Sequence, residues 1–309
     1  MPVMLKEAME ILNPQSGQKF IDCTLGGGGY TMEIAKKILP DGKILSIDLD
    51  ELAIDNLKFQ ISNLKLTNII PAHENFKNLQ IIIEKYFTAD AEFDGIVFDL
   101  GLSSAQLEDR RRGFSFSLSL APLNMNFGGL IGETAENIIN SWNAENLAKI
   151  FKDYGEERFA YKIALAIAEE RKLKRINTAG KLAEIAIKSI PKRFQSKIHP
   201  ATKIFQALRI AVNRELENLR EVLPQAVNLL KPGGKLIVIS YHSLEDRIVK
   251  QYFKQEAKDC LCPPAMPICR CGHKASLKIL THPILRPTGE EVLKNPRSRS
   301  AKLRAVEKI

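Results

Sequence analysis

The sequence predicts an α/β fold: a mostly parallel sheet covered by helices on both faces, with a helical insertion. Short apolar runs that suit buried strands alternate with helical patterns over the first hundred residues. From about residue 108 to 208 the alternation stops, and only loops and helical patterns follow. We therefore predict a discontinuous domain of residues 1–107 and 209–309, and an inserted, basic, substrate-binding helical domain of residues 108–208.

The predicted elements follow in a regular order. A helix is expected at 5–12, and strands at 19–23, 43–48, 68–72 and 93–99 are separated by helical patterns around 30–38, 51–64 and 75–87. The insertion contributes helical patterns at 134–140, 144–151, 156–170, 179–188 and 202–211. A helix at 215–230, a KPGG turn, a strand from 235 and a hairpin-like pair at 277–283 and 301–306 close the chain.

Residues 20–31 (FIDCTLGGGGYT) predict a strand that ends in a glycine-rich turn. Glycine is needed where φ is positive or where a ligand touches the backbone, so this turn is expected to hold a ligand at the next helix N-terminus. A dinucleotide fingerprint is incomplete, because Thr31 occupies the third glycine position. Asp22 would repel a pyrophosphate and attract a cation, which favours S-adenosylmethionine, with its ammonium and sulfonium groups.

Acidic residues also end later strands of the predicted sheet. Asp48 lies nineteen positions after Gly29, about the offset of an acid that binds ribose hydroxyls. Asp99 ends the most apolar strand. A helix cap is the alternative role, and it suits Asp50 better than Asp48. Because parallel strands end at the same sheet edge, Asp22, Asp48 and Asp99 are expected to converge on one crevice.

The charge of the chain favours a polyanionic partner. The formal net charge is +9, and residues 156–220 carry fifteen Lys and Arg against seven Asp and Glu. Residues 270–309 carry ten basic and three acidic residues. A basic surface without such a partner is the alternative, and the aromatic residues of the insertion, such as Phe159 and Phe194, suit core packing as well as base stacking.

The sequence predicts a cytoplasmic protein without a membrane partner. No apolar run approaches the roughly 18 residues that cross a bilayer, and the amino terminus lacks the basic flank and apolar core of a secretory signal. Five cysteines, an odd number, do not suggest a secreted disulfide framework. The sequence leaves the oligomeric state open.

Four of the cysteines form a CxC pair, a six-residue spacer and a second CxC pair. They are Cys260, Cys262, Cys269 and Cys271, and His273 follows. Four thiolates suit a tetrahedral structural zinc, but the usual zinc knuckle is CxxC. Bound zinc and reduced thiols in a proline-rich loop therefore both stay open.

Longer motifs identify a family. The segment 229–240 (LLKPGGKLIVIS) resembles the fifth strand of class I S-adenosylmethionine-dependent methyltransferases, which have a Rossmann-like, seven-stranded, mostly parallel sheet. The further motifs are PVMLKEAMEIL, DLGLSSAQLEDRRRGFSFS, HPATKIFQALRIAVNRELENL, SYHSLEDRIVKQYF and NPRSRSAKLRAVEK. Together they resemble the bacterial 16S ribosomal RNA cytosine-N4 methyltransferase family over nearly the whole chain.

This resemblance implies methyl transfer to the exocyclic N4 of a cytidine in the decoding region of 16S rRNA, within the small ribosomal subunit. The implied cofactor contacts are Gly28, Gly29, Tyr30, Asp48, Phe76, Asp99 and Gln106. The residues expected to bind the RNA are Arg110, Arg111, Arg112, Asn124, Asn126 and Arg209. Asn124 and Asn126 stand where the family has Asp and Arg, so a catalytically impaired assembly factor of the same fold is the alternative function.

Methylation of a cytosine amino group requires hydrogen-bond acceptors, because its lone pair is delocalised into the ring. Asp99 is the first candidate acceptor, and His242 and Asp246 follow from the SYHSLEDR motif. For His242, a structural imidazole is an equally good interpretation.

Overall fold

The computed structural model describes residues 2–129, 132–194, 199–263 and 268–309. It divides into two compact units, Met1–Gly101 with Leu216–Ile309 and Leu102–Glu215. The predicted insertion, residues 108–208, lies inside the second unit.

The helices and strands follow in chain order. They are α1 (Leu5–Leu12), β1 (Lys19–Asp22), α2 (Gly29–Lys37), β2 (Lys43–Asp48), α3 (Glu51–Leu64), β3 (Ile69–His73), α4 (Leu79–Tyr86), β4 (Phe93–Asp99), α5 (Ser104–Glu108), α6 (Ala135–Ser141), α7 (Ala144–Asp153), α8 (Ala160–Leu173), α9 (Ala179–Ser189), α10 (Ala201–Asn213), α11 (Glu215–Leu229), β5 (Leu230–Ser240), α12 (Ser243–Glu256), β6 (Leu277–Ile279), α13 (Gly289–Lys294) and β7 (Lys302–Lys308).

The first unit contains a seven-stranded sheet in the order β3-β2-β1-β4-β5-β7-β6. Strands β1 to β5 pair in parallel, and β7 runs antiparallel to β5 and β6. The predicted sheet and its antiparallel closing strands are thus confirmed. The strand order reverses between β1 and β4, and such a reversal opens a crevice at the carboxyl ends of the strands.

Helices cover both faces of this sheet. Phe20 packs with α1, α2 and α3 on one face, whereas its neighbour Ile21 packs with α4, α11 and α12 on the other. Successive residues of a strand point to opposite faces, so a strand buried on both sides must be apolar throughout. This requirement explains the continuous apolar runs of the sequence.

Several element boundaries differ from the prediction, and two of the differences are described next. The KPGG segment lies within β5, where the pairing steps from Phe93↔Leu230 to Gly95↔Lys235 and Gly233 takes a φ of 79°. The helix expected at 75–87 is a 3₁₀ turn, Phe76–Asn78, followed by α4. Asn75 starts that turn, because its side chain accepts from the backbone N–H of Lys77 at 3.0 Å.

The second unit is helical and has its own apolar core. Leu147, Phe151 and Ile163 are fully buried there, between α7 and α8. Polar caps set the helix starts, as where Thr134 accepts from the N–H of Asn137 and Thr178 from that of Lys181. In the described part of this unit we find no strand, only an isolated bridge between Pro122 and Thr178.

Candidate cofactor site

The glycine turn after β1 exposes backbone rather than side chains. Gly26 and Gly28 have positive φ values of 49° and 79°, and Gly28 is the residue that precedes α2. A Cβ atom at Gly27 would meet nothing within 4 Å, so there is room beside the turn. Backbone N–H groups at a helix N-terminus are donors for a ligand carboxylate or hydroxyl.

Asp22 supports this turn from below. It is fully buried, and its carboxylate accepts from the Thr31 hydroxyl at 2.8 Å and from the Thr24 N–H at 3.1 Å. Burial raises its pKa to about 6, although the Thr31 hydrogen bond opposes the shift. Asp22 has no exposed surface, so the structure favours a supporting role for it, and its predicted attraction of the ligand cation stays a prediction.

Asp48 ends β2 and connects the turn to the start of α3. Its carboxylate accepts from the N–H of Gly26 and from that of Asp50, both at 2.8 Å. Burial raises its pKa. Asp50 caps α3 by accepting from the N–H of Leu52 at 3.2 Å, so the cap interpretation holds for Asp50. Asp48 stays partly exposed, and a carboxylate has further lone pairs for ribose hydroxyls.

Asp99 ends β4 and stays partly exposed. Tyr241, the residue directly after β5, donates its hydroxyl to Asp99 Oδ1 at 2.8 Å, and Thr24 accepts from the N–H of Asp99 at 2.6 Å. Burial raises the pKa of Asp99 to about 7, against the Tyr241 hydrogen bond. Burial also raises the pKa of Tyr241, so its hydroxyl keeps its proton and acts as a donor.

The sequence interpretation missed Tyr241 and Thr24 as partners of Asp99. Tyr241 lies within the SYHS motif, one residue before the predicted candidate His242. Its position immediately beyond a strand parallel to β4 was the available signal, because neighbouring parallel strands end side by side.

Tyr30 points away from the open side of the turn. Its side chain is buried, and its hydroxyl donates to the carbonyl of Val3. Gly29 is equally close to the amino-terminal segment, since a Cβ there would lie 2.4 Å from Pro2 Cγ. A ligand can therefore meet Tyr30 through its backbone only, and the segment before α1 covers this side of the turn.

Phe76 lies three residues after the end of β3, the place predicted for a ring that contacts the adenine of the cofactor. Its ring meets Phe98 edge to face, with centroids 5.7 Å apart, and the residue is half-buried. Packing against Phe98 fixes the ring, and an apolar ring that keeps some exposed surface can lie against a base.

His242 and Asp246 take structural contacts at the start of α12. His242 caps the helix, its Nδ1 accepting from the Glu245 N–H at 3.5 Å, and Nε2 lies 3.0 Å from Glu245 Oε1. Asp246 accepts from Lys302 at 3.0 Å and from Arg304 at 2.7 Å. Burial acts to raise the pKa of Asp246, but these two hydrogen bonds outweigh it and hold the pKa below its usual value. The geometry thus favours structural roles for both residues.

The predicted RNA-binding arginines of the second unit differ in exposure. Arg110 is exposed, and Arg111 is exposed but paired with Asp109 at 3.0 Å. Arg112 is buried and donates to the carbonyls of Asn126 and Phe127, so the geometry favours a structural role, and its predicted phosphate contact stays a prediction.

Arg209 also has a structural partner. It forms a two-pronged ion pair with Glu215, with both N···O distances 2.7 Å. Its side chain is only 12% exposed. The pair spans the turn between α10 and α11, where Arg214 has a positive φ of 52°, so it stabilises that turn.

The two asparagines that depart from the family pattern organise their own loop. Asn124 accepts from the N–H of Asn126 at 2.8 Å, and Asn126 in turn accepts from the N–H of Gly128 at 2.8 Å. An aspartate at position 124 would offer the same acceptor oxygen. Gln106 forms a capping box with Ser103 at the start of α5, and its predicted contact with the cofactor stays a prediction.

An exposed aromatic and basic cluster also lies on the second unit. We call Arg158, Phe159, Arg193 and Phe194 the Phe194 patch. The guanidinium groups of Arg158 and Arg193 lie over the Phe194 ring at 5.1 and 4.8 Å, and the ring is 42% exposed. Phe159 packs against the apolar core of the unit, whereas Arg158, Arg193 and Phe194 are exposed and available to a ligand.

The carboxylates of the first unit favour a cationic ligand over a pyrophosphate. Carboxylates follow three neighbouring strands, at Asp22, Asp48 and Asp99, and two of them have pKa values raised to about 6 and about 7 by burial. A cationic ligand would compensate these charges, whereas a phosphate would add to them. Fold and site together define a class I S-adenosylmethionine-dependent methyltransferase.

Comparison with known proteins identifies the family. The sequence model of the MraW methylase family matches residues 1–309. The ribosomal RNA small subunit methyltransferase H of Thermomicrobium roseum is 48% identical over 308 residues, which are 100% of this chain and 93% of that protein. Its counterpart from Dehalococcoides mccartyi strain BAV1 is 47% identical, over 100% of this chain and 86% of that protein. The chain therefore belongs to the MraW methylase family, which confirms the resemblance drawn from the motifs.

Within the described ranges, no helix combines the length and the apolar character that crossing a membrane requires.

Proposed function

We propose that the protein methylates the exocyclic N4 of a cytidine in the decoding region of 16S rRNA, within the small ribosomal subunit. The observation that carries the proposal is Asp99, a partly exposed carboxylate at the strand-order reversal with a pKa of about 7. Family membership and the names of the relatives support the class of substrate. The proposed substrate implies a cytoplasmic protein.

Bound S-adenosylmethionine supplies a methyl group on a positively charged sulfur. The open turn at Gly27 and the backbone of Gly28 and Gly29 would hold its methionine part, and Asp48 its ribose. Phe76 would lie against the adenine. These residues fit the cofactor because they combine exposed backbone donors with carboxylates and carry no phosphate-binding cation.

Asp99 would act on the cytosine amino group. A carboxylate that accepts a hydrogen bond from N4 makes the lone pair more available, and methyl transfer then leaves a surplus proton on the nitrogen. The carbon–sulfur bond breaks as the carbon–nitrogen bond forms, and the surplus proton passes to Asp99 or to water. An acceptor with a pKa near 7 suits both the ionised starting state and the receipt of that proton.

The Phe194 patch and Arg110 would contribute to RNA binding. Exposed guanidinium groups that an aromatic ring holds in place can stack on an unpaired base or contact phosphates. Asn124 keeps the acceptor oxygen that an aspartate would provide, and this favours an active enzyme over an impaired assembly factor.

The decisive experiment supplies labelled S-adenosylmethionine with small ribosomal subunits and, in parallel, with naked 16S rRNA, followed by nucleoside analysis. We expect N4-methylcytidine at a single position and only with active protein. Tight cofactor binding without product on either substrate would instead support the impaired assembly factor. Label in a different nucleoside would refute the proposed acceptor atom.

A further inference from the structure

The loop between α12 and β6 brings four thiols together outside the cofactor site. The cysteine cluster consists of Cys260, Cys262, Cys269 and Cys271, whose Sγ atoms all lie within 4.8 Å of one another. Three of the distances are 3.3 Å (Cys260 to Cys269), 3.6 Å (Cys269 to Cys271) and 3.7 Å (Cys260 to Cys271). Zinc–sulfur bonds of about 2.3 Å in a tetrahedron require sulfur atoms about 3.8 Å apart.

Backbone N–H groups also point at these sulfur atoms. The N–H of Leu261 donates to Cys271 at 3.3 Å, and the N–H of Arg270 donates to Cys262 at 3.4 Å. Each donor is the middle residue of one CxC pair, and its acceptor is a cysteine of the other pair, so hydrogen bonds connect the two pairs in both directions. Such N–H···S contacts stabilise thiolates and orient them toward a metal.

The described apolar residues next to the cysteines are poorly packed. Leu261 is 40% exposed and Ile268 is 71% exposed, although both lie beside cysteines. Hydrogen bonds close the base of the loop, where the N–H of Ser276 donates to the Glu256 carbonyl at 2.8 Å. His273 also belongs to this base, because its Nε2 lies 3.2 Å from the Gln255 carbonyl. Where the described residues of a short segment bury so little apolar surface, a bound metal can supply stability.

From this geometry we propose that the cysteine cluster binds one structural zinc ion with four thiolate ligands. No position is left for water, so the zinc holds the loop and takes no part in methyl transfer. Binding releases the thiol protons and forms four Zn–S bonds, with no change of oxidation state. The CxC spacing is shorter than the usual CxxC, but the four sulfur atoms can still surround one ion because the two pairs face each other across the loop. Because His273 Nε2 contacts the Gln255 carbonyl, we assign the four ligand positions to the four cysteines and none to the histidine.

Metal analysis of the full-length protein, purified under reducing conditions and dialysed, tests the proposal. We expect about one zinc per chain and, after exchange, the strong visible absorption of thiolate-bound tetrahedral Co²⁺. Less than about a tenth of that zinc would overturn the proposal. Iron in place of zinc, or disulfides between the four thiols, would also overturn it.

Matched variants locate the ion. Cys260→Ser and Cys271→Ser should each lower the zinc content at least about tenfold. Cys23→Ala is the control, because Cys23 is a buried thiol directly after β1, and the zinc content of this variant should equal that of the wild type. His273→Ala should also keep it, and loss of zinc in that variant would contradict a four-sulfur site. Chelator should speed proteolysis of the loop in the wild type but not in Cys260→Ser, and equal cleavage in both with and without chelator would refute a structural role for the ion.

Discussion

The two units stabilise their buried charges differently. In the first unit, Asp22 and Asp99 are held by neutral hydroxyl and amide donors, so burial raises their pKa values to about 6 and about 7. In the second unit, Arg112 is held by carbonyls and Arg209 by Glu215. An arginine stays charged at any physiological pH. Asp22 and Asp99 can therefore respond to pH or to a cation, whereas Arg112 and Arg209 serve a fixed structure.

Replacing Asp99 is the strongest test of the responsive charges. Asp99→Ala should lower kcat/KM for methyl transfer about 100-fold or more, because the acceptor for the amino group is lost. Labelled-methyl transfer to small subunits measures the effect. Asp246→Asn is the matched control, since that carboxylate is paired with Lys302 and Arg304, and its activity per folded molecule should stay within about threefold of the wild type. Equal losses in both variants would contradict the distinction between the two carboxylates.

Arginine variants should separate stability from RNA binding in the second unit. Arg209→Ala should lower the free energy of unfolding by about 3 kcal/mol, because it removes the two-pronged ion pair of the nearly buried Glu215. Arg193→Ala, in the exposed Phe194 patch, should change it by less than about 0.5 kcal/mol. Denaturant unfolding measures both changes.

RNA affinity should show the reverse order for the same two variants. Arg193→Ala should weaken binding about tenfold at low salt and reduce the slope of log K against log salt by about one, because one phosphate contact is lost. Folded Arg209→Ala should retain the wild-type slope. If Arg209→Ala lost the slope and Arg193→Ala kept it, the proposed division between structural and binding arginines would be wrong.

The pH profile of activity tests the link between Tyr241 and Asp99. The Tyr241 hydrogen bond lowers the pKa of Asp99, so Tyr241→Phe should raise that pKa further above about 7. The ionised fraction at pH 7 then falls, and activity at pH 7 should fall severalfold and recover as pH rises. The acid limb of kcat/KM, measured from pH 5.5 to 9 on the wild type and the variant, should move to higher pH only in the variant. An unmoved limb with a uniformly lower rate would assign Tyr241 a purely structural role.

Alanine substitutions in the glycine turn should give the smallest effect. Gly28 has a φ of 79°, so Gly28→Ala should cost about 1 kcal/mol of unfolding free energy from backbone strain. Gly27→Ala meets no atom within 4 Å and has no positive φ, so its stability should match the wild type. Thermal unfolding of the ligand-free protein compares the two, and equal destabilisation would show that strain at Gly28 is not the cause.

The fold was predictable because its signals are local. Continuous apolar runs indicated strands buried on both faces, and Asp48 and Asp99 could be located because each directly follows such a run. The shift of α4 to Leu79 could not be foreseen, because it depends on the Asn75 cap competing with a longer helix.

The sequence could not separate structural arginines from exposed ones, because charge alone does not identify a partner. Arg112 and Arg209 contribute to the basic composition in the same way as Arg158 and Arg193 do. Only the structure shows that Arg112 contacts carbonyls and Arg209 contacts Glu215, whereas Arg193 lies over an exposed aromatic ring. Long-range pairs such as Asp246 with Lys302 and Arg304, separated by more than fifty positions, leave no trace in local spacing.

The sequence by itself determined the parallel sheet, the glycine turn, the strand-end acids and the family. These features are local, because the residue types that favour buried strands and positive φ, and the motifs themselves, lie in short consecutive segments. Only the tertiary structure decided that Asp22 supports the turn while Asp99 meets Tyr241, and that four cysteines with unusual spacing converge. Burial and hydrogen-bond partners set the pKa and the availability of each group, and both depend on segments far apart in the chain.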